Sequence, residues 1–267
     1  MRHTQLTARN YASFASVILI LGFATTGLGA VDLAMIAPKG VDHVAAVGQG
    51  DLIVVGIYAF FLGIVEAFSS QLAVAEGEGS TARRLPVLAG ALLLMIVLCQ
   101  VLAIGIAAIT EPALTLFGQK ADIVPLIGDY VWVRMCGAAP VILYYGLNEA
   151  LKICGARNLS LVVLLIGFGM NTVLNWVFLY TGGQEWFSSP ESAVAASTVL
   201  AQLVMAGCAG WMFVVRMRVR NDRWIRPKWR AVNGEFHPRS RPMQMRPLAY
   251  WANAVSRYSS RHDRRLH

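Results

Sequence analysis

The chain has 267 residues, 56% of them hydrophobic and only 14% charged, with a formal net charge of +8. A soluble domain is nearer a quarter charged, so a water-soluble enzyme or binding module is excluded. Runs of about 20 apolar residues, each long enough to cross a bilayer, make this a multi-pass membrane protein.

Taken in chain order, six spans are predicted: 11–37, 51–74, 86–109, 123–150, 159–180 and 191–215. The first follows a basic start, "MRHTQLTARN". Its apolar run is too long for a signal-peptide core and lacks a small-residue cleavage site, so it reads as a retained helix. One set of connections carries Arg2, Arg9, Arg83, Arg84, Lys152, Arg157 and the basic tail. The other carries Asp42, Asp51, Glu111, Asp122, Glu185 and Glu191 with only Lys39 and Lys120. The positive-inside rule makes the first set cytoplasmic, which puts both termini inside and fits an even number of spans. The expected division is a cytoplasmic N-terminus at 1–10, a six-span body at 11–215 and a basic cytoplasmic tail at 216–267.

The four cysteines, Cys99, Cys136, Cys154 and Cys208, lie in or beside apolar runs and form no C-x-x-C pair. They read as free, buried, small apolar residues. No metal-ligand spacing, nucleophile elbow or phosphate loop occurs in the sequence, so neither an enzyme nor a bound cofactor is expected.

Polar residues inside the spans carry the functional signal. Asp32 lies six residues before Pro38, Asn175 six before Thr181, and Thr198 seven after Glu191. At 1.5 Å per residue each is roughly 9–10 Å below the outer surface. Asn171, four residues before Asn175, shares its helix face one turn deeper. A carboxylate, two amides and a hydroxyl at matching depth suit a proton or a small hard cation such as Na⁺. The alternative is hydrogen bonding that merely glues helices together. An intramembrane acid is a functional residue by default. Glu66, mid-span, reads either as a second protonatable group or as the lining of a wet cavity. Arg134 is expected to snorkel outward or to pair with Asp129. Glu149 and Lys152 read as a solvated helix-end pair.

Several stretches resemble the MATE (multidrug and toxic compound extrusion) transporters. "VDLAMIAPKGVDHVAAVGQGD" is similar to that family's junction of helices one and two, and "QLAVAEGEGSTARR" to the loop after helix two. "TLFGQKADIVPLIGDYVWVRMCGAAPVILYYGLNEALKICGARN" is similar to its helix-four region. "MNTVLNWVFLYTGG" and "AVAASTVLAQ" resemble its helices five and six. The resemblance implies one six-helix lobe of a twelve-helix, two-lobe antiporter in the inner membrane. It implies efflux of organic, often cationic compounds coupled to inward H⁺ or Na⁺. It also implies a cation or proton site at Asp32, Asn171, Asn175 and Thr198. Departures are equally visible. The position where some relatives carry a second acid is Asn175, and the helix-six glycines are replaced by alanine and serine.

From Arg216 onward the chain carries 14 Lys and Arg against three acids and contains no further span. Anionic lipid headgroups, rather than nucleic acid, are the expected partner of such a juxtamembrane segment. The missing second lobe makes the chain read as a fragment or an interrupted gene, or else as a half-transporter that pairs as a homodimer. The readings that compete with efflux are a non-transporting membrane scaffold and a lipid flippase.

Overall fold

The computed structural model describes residue 27 and residues 29–225. Residues 29–36 form helix α1, which ends in a 3-10 turn at Ala37–Lys39. Pro38 lacks the N–H needed to continue the helix. Gly40 follows at φ 134°, a backbone region open mainly to glycine. Six helices then run in order: α2 (Val41–Gly77), α3 (Thr81–Leu116), α4 (Val124–Cys136), α5 (Ala138–Ile153), α6 (Arg157–Tyr180) and α7 (Pro190–Ile225). A 3-10 turn, Gly183–Trp186, connects the last two. The described residues up to Arg223 belong to one compact unit.

Helices α2, α3 and α5 stop for the same reason. Each is followed by a glycine in the left-handed region, at Gly79, Gly118 and Gly155. Beyond each glycine the chain caps the last turn with paired bonds, as in Ser80 N–H to Ala75 O (2.8 Å) and Gly79 N–H to Glu76 O (3.1 Å).

Helices α2, α3, α6 and the Pro190–Arg218 part of α7 are each long and apolar enough to cross a membrane, and α4 with α5 makes a fifth, bent span. The predicted span 11–37 lies mostly outside the described residues. Predicted boundaries are corrected at three helices, of which α3 runs Thr81–Leu116 and so takes in Arg83, Arg84 and Glu111. Helix α2 begins at Val41, not near residue 51, so Asp51 lies within it and not in a loop. Helix α7 continues to Ile225, so Arg216 and Arg218 stand on a helix. The remainder of the basic tail lies outside the described residues.

The predicted 123–150 helix is also not straight. It bends by 50° between α4 and α5. Pro140 removes one backbone donor and its ring opposes the carbonyl four residues earlier, so the helix must open at Gly137. In hydrocarbon the opened backbone needs new partners. Gln100 of α3 supplies them. Its Nε2 donates to Met135 O (2.9 Å), and its Oε1 accepts from Ala139 N–H (2.8 Å). Gly137 itself has no room for a side chain, because a Cβ there would lie 2.4 Å from Val199 of α7. The kink therefore brings α4 and α5 directly against the segment of α7 that carries Thr198.

The core is apolar and divided. The larger cluster joins α2, α3 and α4 with the start of α5, Ile36 of α1, the end of α6 and the start of α7, and a smaller one joins α5, α6 and α7 around Tyr144, Leu164 and Met205. Large apolar side chains also cover the outside, as with Leu93, Leu94, Val97, Leu98 and Val101 of α3. Water would penalise such a surface, whereas lipid accepts it. All four cysteines are free, as expected, but Cys136, at the kink, is exposed and Cys208 half-buried rather than buried.

Candidate functional site

Asp32, Asn171, Asn175 and Thr198 come from three helices and meet at one place, each no more than 5% exposed. Asp32 on α1 accepts two hydrogen bonds, one per oxygen. Asn175 Nδ2 of α6 donates to Oδ1 (2.6 Å), and Thr198 Oγ1 of α7 donates to Oδ2 (2.9 Å). Asn171 Nδ2 donates to Thr198 Oγ1 (3.1 Å), and Asn175 Nδ2 also donates to Asn171 Oδ1 (3.4 Å). One member was not anticipated. Ser197, fully buried, donates to Asn175 Oδ1 and fixes the direction of that amide. It stands in the stretch where the resemblance put serine in place of glycine, which was the available signal.

The local reasons are simple. Asn171 and Asn175 are one turn apart on α6 and face the same way. Gly167, one turn earlier, has Met205 Sδ 2.0 Å from where its Cβ would be, so α6 and α7 touch backbone to side chain. Close approach brings short polar groups within reach across the seam.

A second polar cluster adjoins the first. Arg134 of α4 is only 5% exposed. Its Nη1 donates to Gln202 Oε1 of α7 (3.2 Å), and its Nη2 lies 3.8 Å from Asp51 Oδ1 of α2. The Tyr58 and Tyr130 rings flank the guanidinium at 5.7 and 6.0 Å. Tyr58 Oη donates to Arg134 O (2.6 Å) and Tyr130 Oη to Asp51 Oδ1 (3.1 Å). This corrects the expectation for Arg134, which neither snorkels outward nor pairs with Asp129. Five residues along a helix is about 140° around it, so the two side chains diverge. Asp129 instead accepts from Ser188 Oγ at 3.3 Å.

Two cavities, of about 450 and 210 Å³, share Gly29, Asp32 and Asp51 in their linings. The smaller also includes Arg134, Thr198 and Gln202. Glu66 is exposed on α2 and lines neither of these two cavities. Glu149 and Lys152 form the expected ion pair on α5. Nearer the α7 N-terminus, His43 Nδ1 and the fully buried Glu191 Oε1 lie 2.5 Å apart, tying α2 to α7. Among the described residues, no three His, Cys, Asp or Glu side chains gather as a metal site.

An all-helical bundle with several membrane spans and one acid buried in a polar seam is the architecture of a polytopic membrane protein. The MatE family model matches residues 18–177, and the chain belongs to that family. It is 24% identical over 219 residues to the probable multidrug resistance protein NorM of Agrobacterium fabrum, covering 78% of this chain and 45% of that protein. It is 26% identical over 222 residues to the multidrug resistance protein NorM of Burkholderia vietnamiensis, covering 82% of this chain and 46% of that protein. A crystal structure of MATE in the bent conformation superposes with a TM-score of 0.64 at 22% identity, covering 75% of this chain and 44% of that one, and shows the shared fold. The chain thus spans less than half the length of these relatives.

Proposed function

We propose that this chain serves as one six-helix lobe of a multidrug exporter in the inner membrane, with both termini cytoplasmic, and that Asp32 is its proton-coupling carboxylate. The relatives' description as multidrug resistance proteins supports the efflux reading. The coupling reading rests on one observation, which is that Thr198 Oγ1 lies within hydrogen-bond reach of both Asp32 Oδ2 (2.9 Å) and Val194 O (3.2 Å). With Asp32 ionised, the Thr198 hydroxyl would donate to Oδ2, across a separation that a protonated Oδ2 donating to Thr198 would also give. When a proton binds Oδ2, the Thr198 hydroxyl turns to Val194 O, 3.2 Å away. Thr198 Oγ1 then accepts from both Asp32 and Asn171, within the two-acceptor capacity of a hydroxyl. Asp32, Asn171, Asn175 and Thr198 each keep a hydrogen-bond partner in either state.

Sodium fits this arrangement less well. The groups that face the carboxylate are an amide nitrogen and a hydroxyl donor. To offer oxygen to a cation, Asn175 would have to turn its amide over and break its bond from Ser197.

Charge at Asp32 would act on the hold of α1 against α6 and α7. That hold includes the Asp32 bonds and a Tyr180 hydroxyl that donates to Met35 O. Protonation weakens the charge-assisted bonds and shifts the balance between packings of α1. An organic substrate, often cationic, would lie in the cavity between this lobe and a partner, either a second lobe or a second copy of the chain. The basic tail would rest on anionic headgroups.

The test is accumulation of ethidium in an efflux-deficient bacterium expressing the chain, with Asp32→Asn as control. The proposal expects lower accumulation with the wild type and none of that protection with the variant. Equal protection by both would sink the role of Asp32. Absence of protection by either would reject transport by this chain alone and favour a scaffold or a subunit.

A further inference from the structure

Arg134 is a buried charge that the proton site does not use. Among the guanidinium's polar contacts, one is a hydrogen bond of ordinary length, to Gln202, while the nearest carboxylate oxygen is 3.8 Å away and Nε has no partner. A guanidinium in a low-dielectric interior is normally held by short, forked bonds to its counter-ion. Here the charge is loosely held and stands beside open space. The 210 Å³ cavity has six charged or titratable groups on its walls: Asp32, Asp51, Tyr58, Arg134, Tyr144 and Tyr145. Tyr130, behind Asp51, is the seventh nearby. Helix α6 places only the neutral Asn171 and Asn175 at the carboxylate, and α7 only the neutral Ser197, Thr198 and Gln202.

The position of Gln202 matters. It lies four residues after Thr198, one turn along the same face of α7, and Thr198 is bonded to Asp32. The guanidinium is therefore anchored one helical turn from the group that holds the proton-site carboxylate. Arg134, Asp51 and Asp32 all line the same cavity. The flanking Tyr58 and Tyr130 rings stabilise a cation without fixing its partner.

We propose that Arg134 is a positioning residue that works as an exchangeable counter-charge shared between Asp51 and Asp32. With Asp32 neutral, Arg134 stays with Asp51. When Asp32 loses its proton, the guanidinium moves across the cavity toward it and loosens its hold on α2. Charge at Asp32 is thereby translated into the packing of α2 against α4, and not of α1 alone. No bond is made or broken in the step, which displaces only a charged side chain. The proposal rests on the reading of Asp32 as a protonatable carboxylate.

The experiment uses the full chain in lipid nanodiscs and a hydrophobic carbodiimide, which modifies protonated carboxyl groups in membranes. Mass spectrometry reads the labelled fraction at Asp32. Arg134→Gln is expected to raise labelling about tenfold, the low end of what loss of a neighbouring charge does to a carboxylate. Asp51→Asn is expected to lower it, because the freed guanidinium settles on Asp32. Arg134→Lys keeps the charge and is expected to stay near wild type. The decisive arm is the double variant, in which Asp51→Asn loses most of its effect once Arg134 is Gln. Additive effects would mean that Asp51 acts on Asp32 directly and would overturn the proposal, as would an Arg134→Lys chain that behaves like Arg134→Gln. Should Arg134→Gln not fold, the same double-variant comparison is made with Arg134→Met, where Asp51→Asn must again lose most of its effect. Wild-type Asp32 that resists labelling at every pH would remove the proton reading itself, and this proposal with it.

Discussion

The Asp32 seam and the Arg134 cluster each bury a charge between helices, yet they are built on opposite terms. Around Asp32, Asn171, Asn175 and Thr198 the side-chain donors and acceptors meet at 2.6–3.4 Å. Around Arg134 one bond is formed, one carboxylate stands off at 3.8 Å, and Nε has no partner. A fully paired network holds its charge in one place and keeps the fold specific. An underpaired one leaves its charge able to respond to a neighbour. The difference suggests a division of labour in which the seam carries the charge change and the arginine senses it.

The strongest way to break this contrast is Asp32→Asn. The amide keeps the shape of the seam, so the chain should fold, while protection against ethidium falls to the level of empty vector. Retained protection would mean that the seam is structural glue. Next in size is Gln100→Leu, which orphans a carbonyl and an N–H at the kink that carries Arg134. Each unpaired buried group costs about 1–3 kcal/mol, so a marked fall in the thermal midpoint is expected, and an unchanged midpoint would show that the kink needs no patch. Thr198→Val removes the donor to Asp32 and the acceptor for Asn171. It should cost about 1.5–3 kcal/mol, the range for bonds to charged groups, read as a smaller fall in the same melt. Ser197→Ala should be milder, about 1 kcal/mol, because Asn175 keeps both of its donated bonds. A Ser197→Ala effect as large as that of Thr198→Val would move the centre of the seam away from Asp32.

The seam was legible because its members break an apolar run, and depth alone put Asp32, Asn175 and Thr198 together. The same criterion applied to "VLCQVLAIG" would have found Gln100, an amide in the middle of α3. What depth does not give is direction around a helix. Arg134 and Asp129 are near in sequence but point apart, and only the packing of α2, α4 and α7 brings Arg134 to Asp51 and Gln202. Asp51 was misplaced for a related reason. "GQGD" has the composition of a turn, yet Gly50 is helical and small because the Tyr130 ring would lie 2.6 Å from a Cβ there. The bend at Gly137 was equally hidden, since periodicity and hydropathy continue unbroken through Pro140. Close packing, not propensity, decided each of these positions.

The central claim is that Asp32 takes up and releases the proton within the seam. Acid-minus-neutral infrared difference spectra of the chain in lipid test it most directly, comparing the wild type with Asp32→Asn and Thr198→Val. The account predicts a protonated-carboxyl band in the wild type that disappears in Asp32→Asn and changes frequency in Thr198→Val, where its hydrogen-bond partner is gone. A wild-type spectrum identical to that of Asp32→Asn would contradict it.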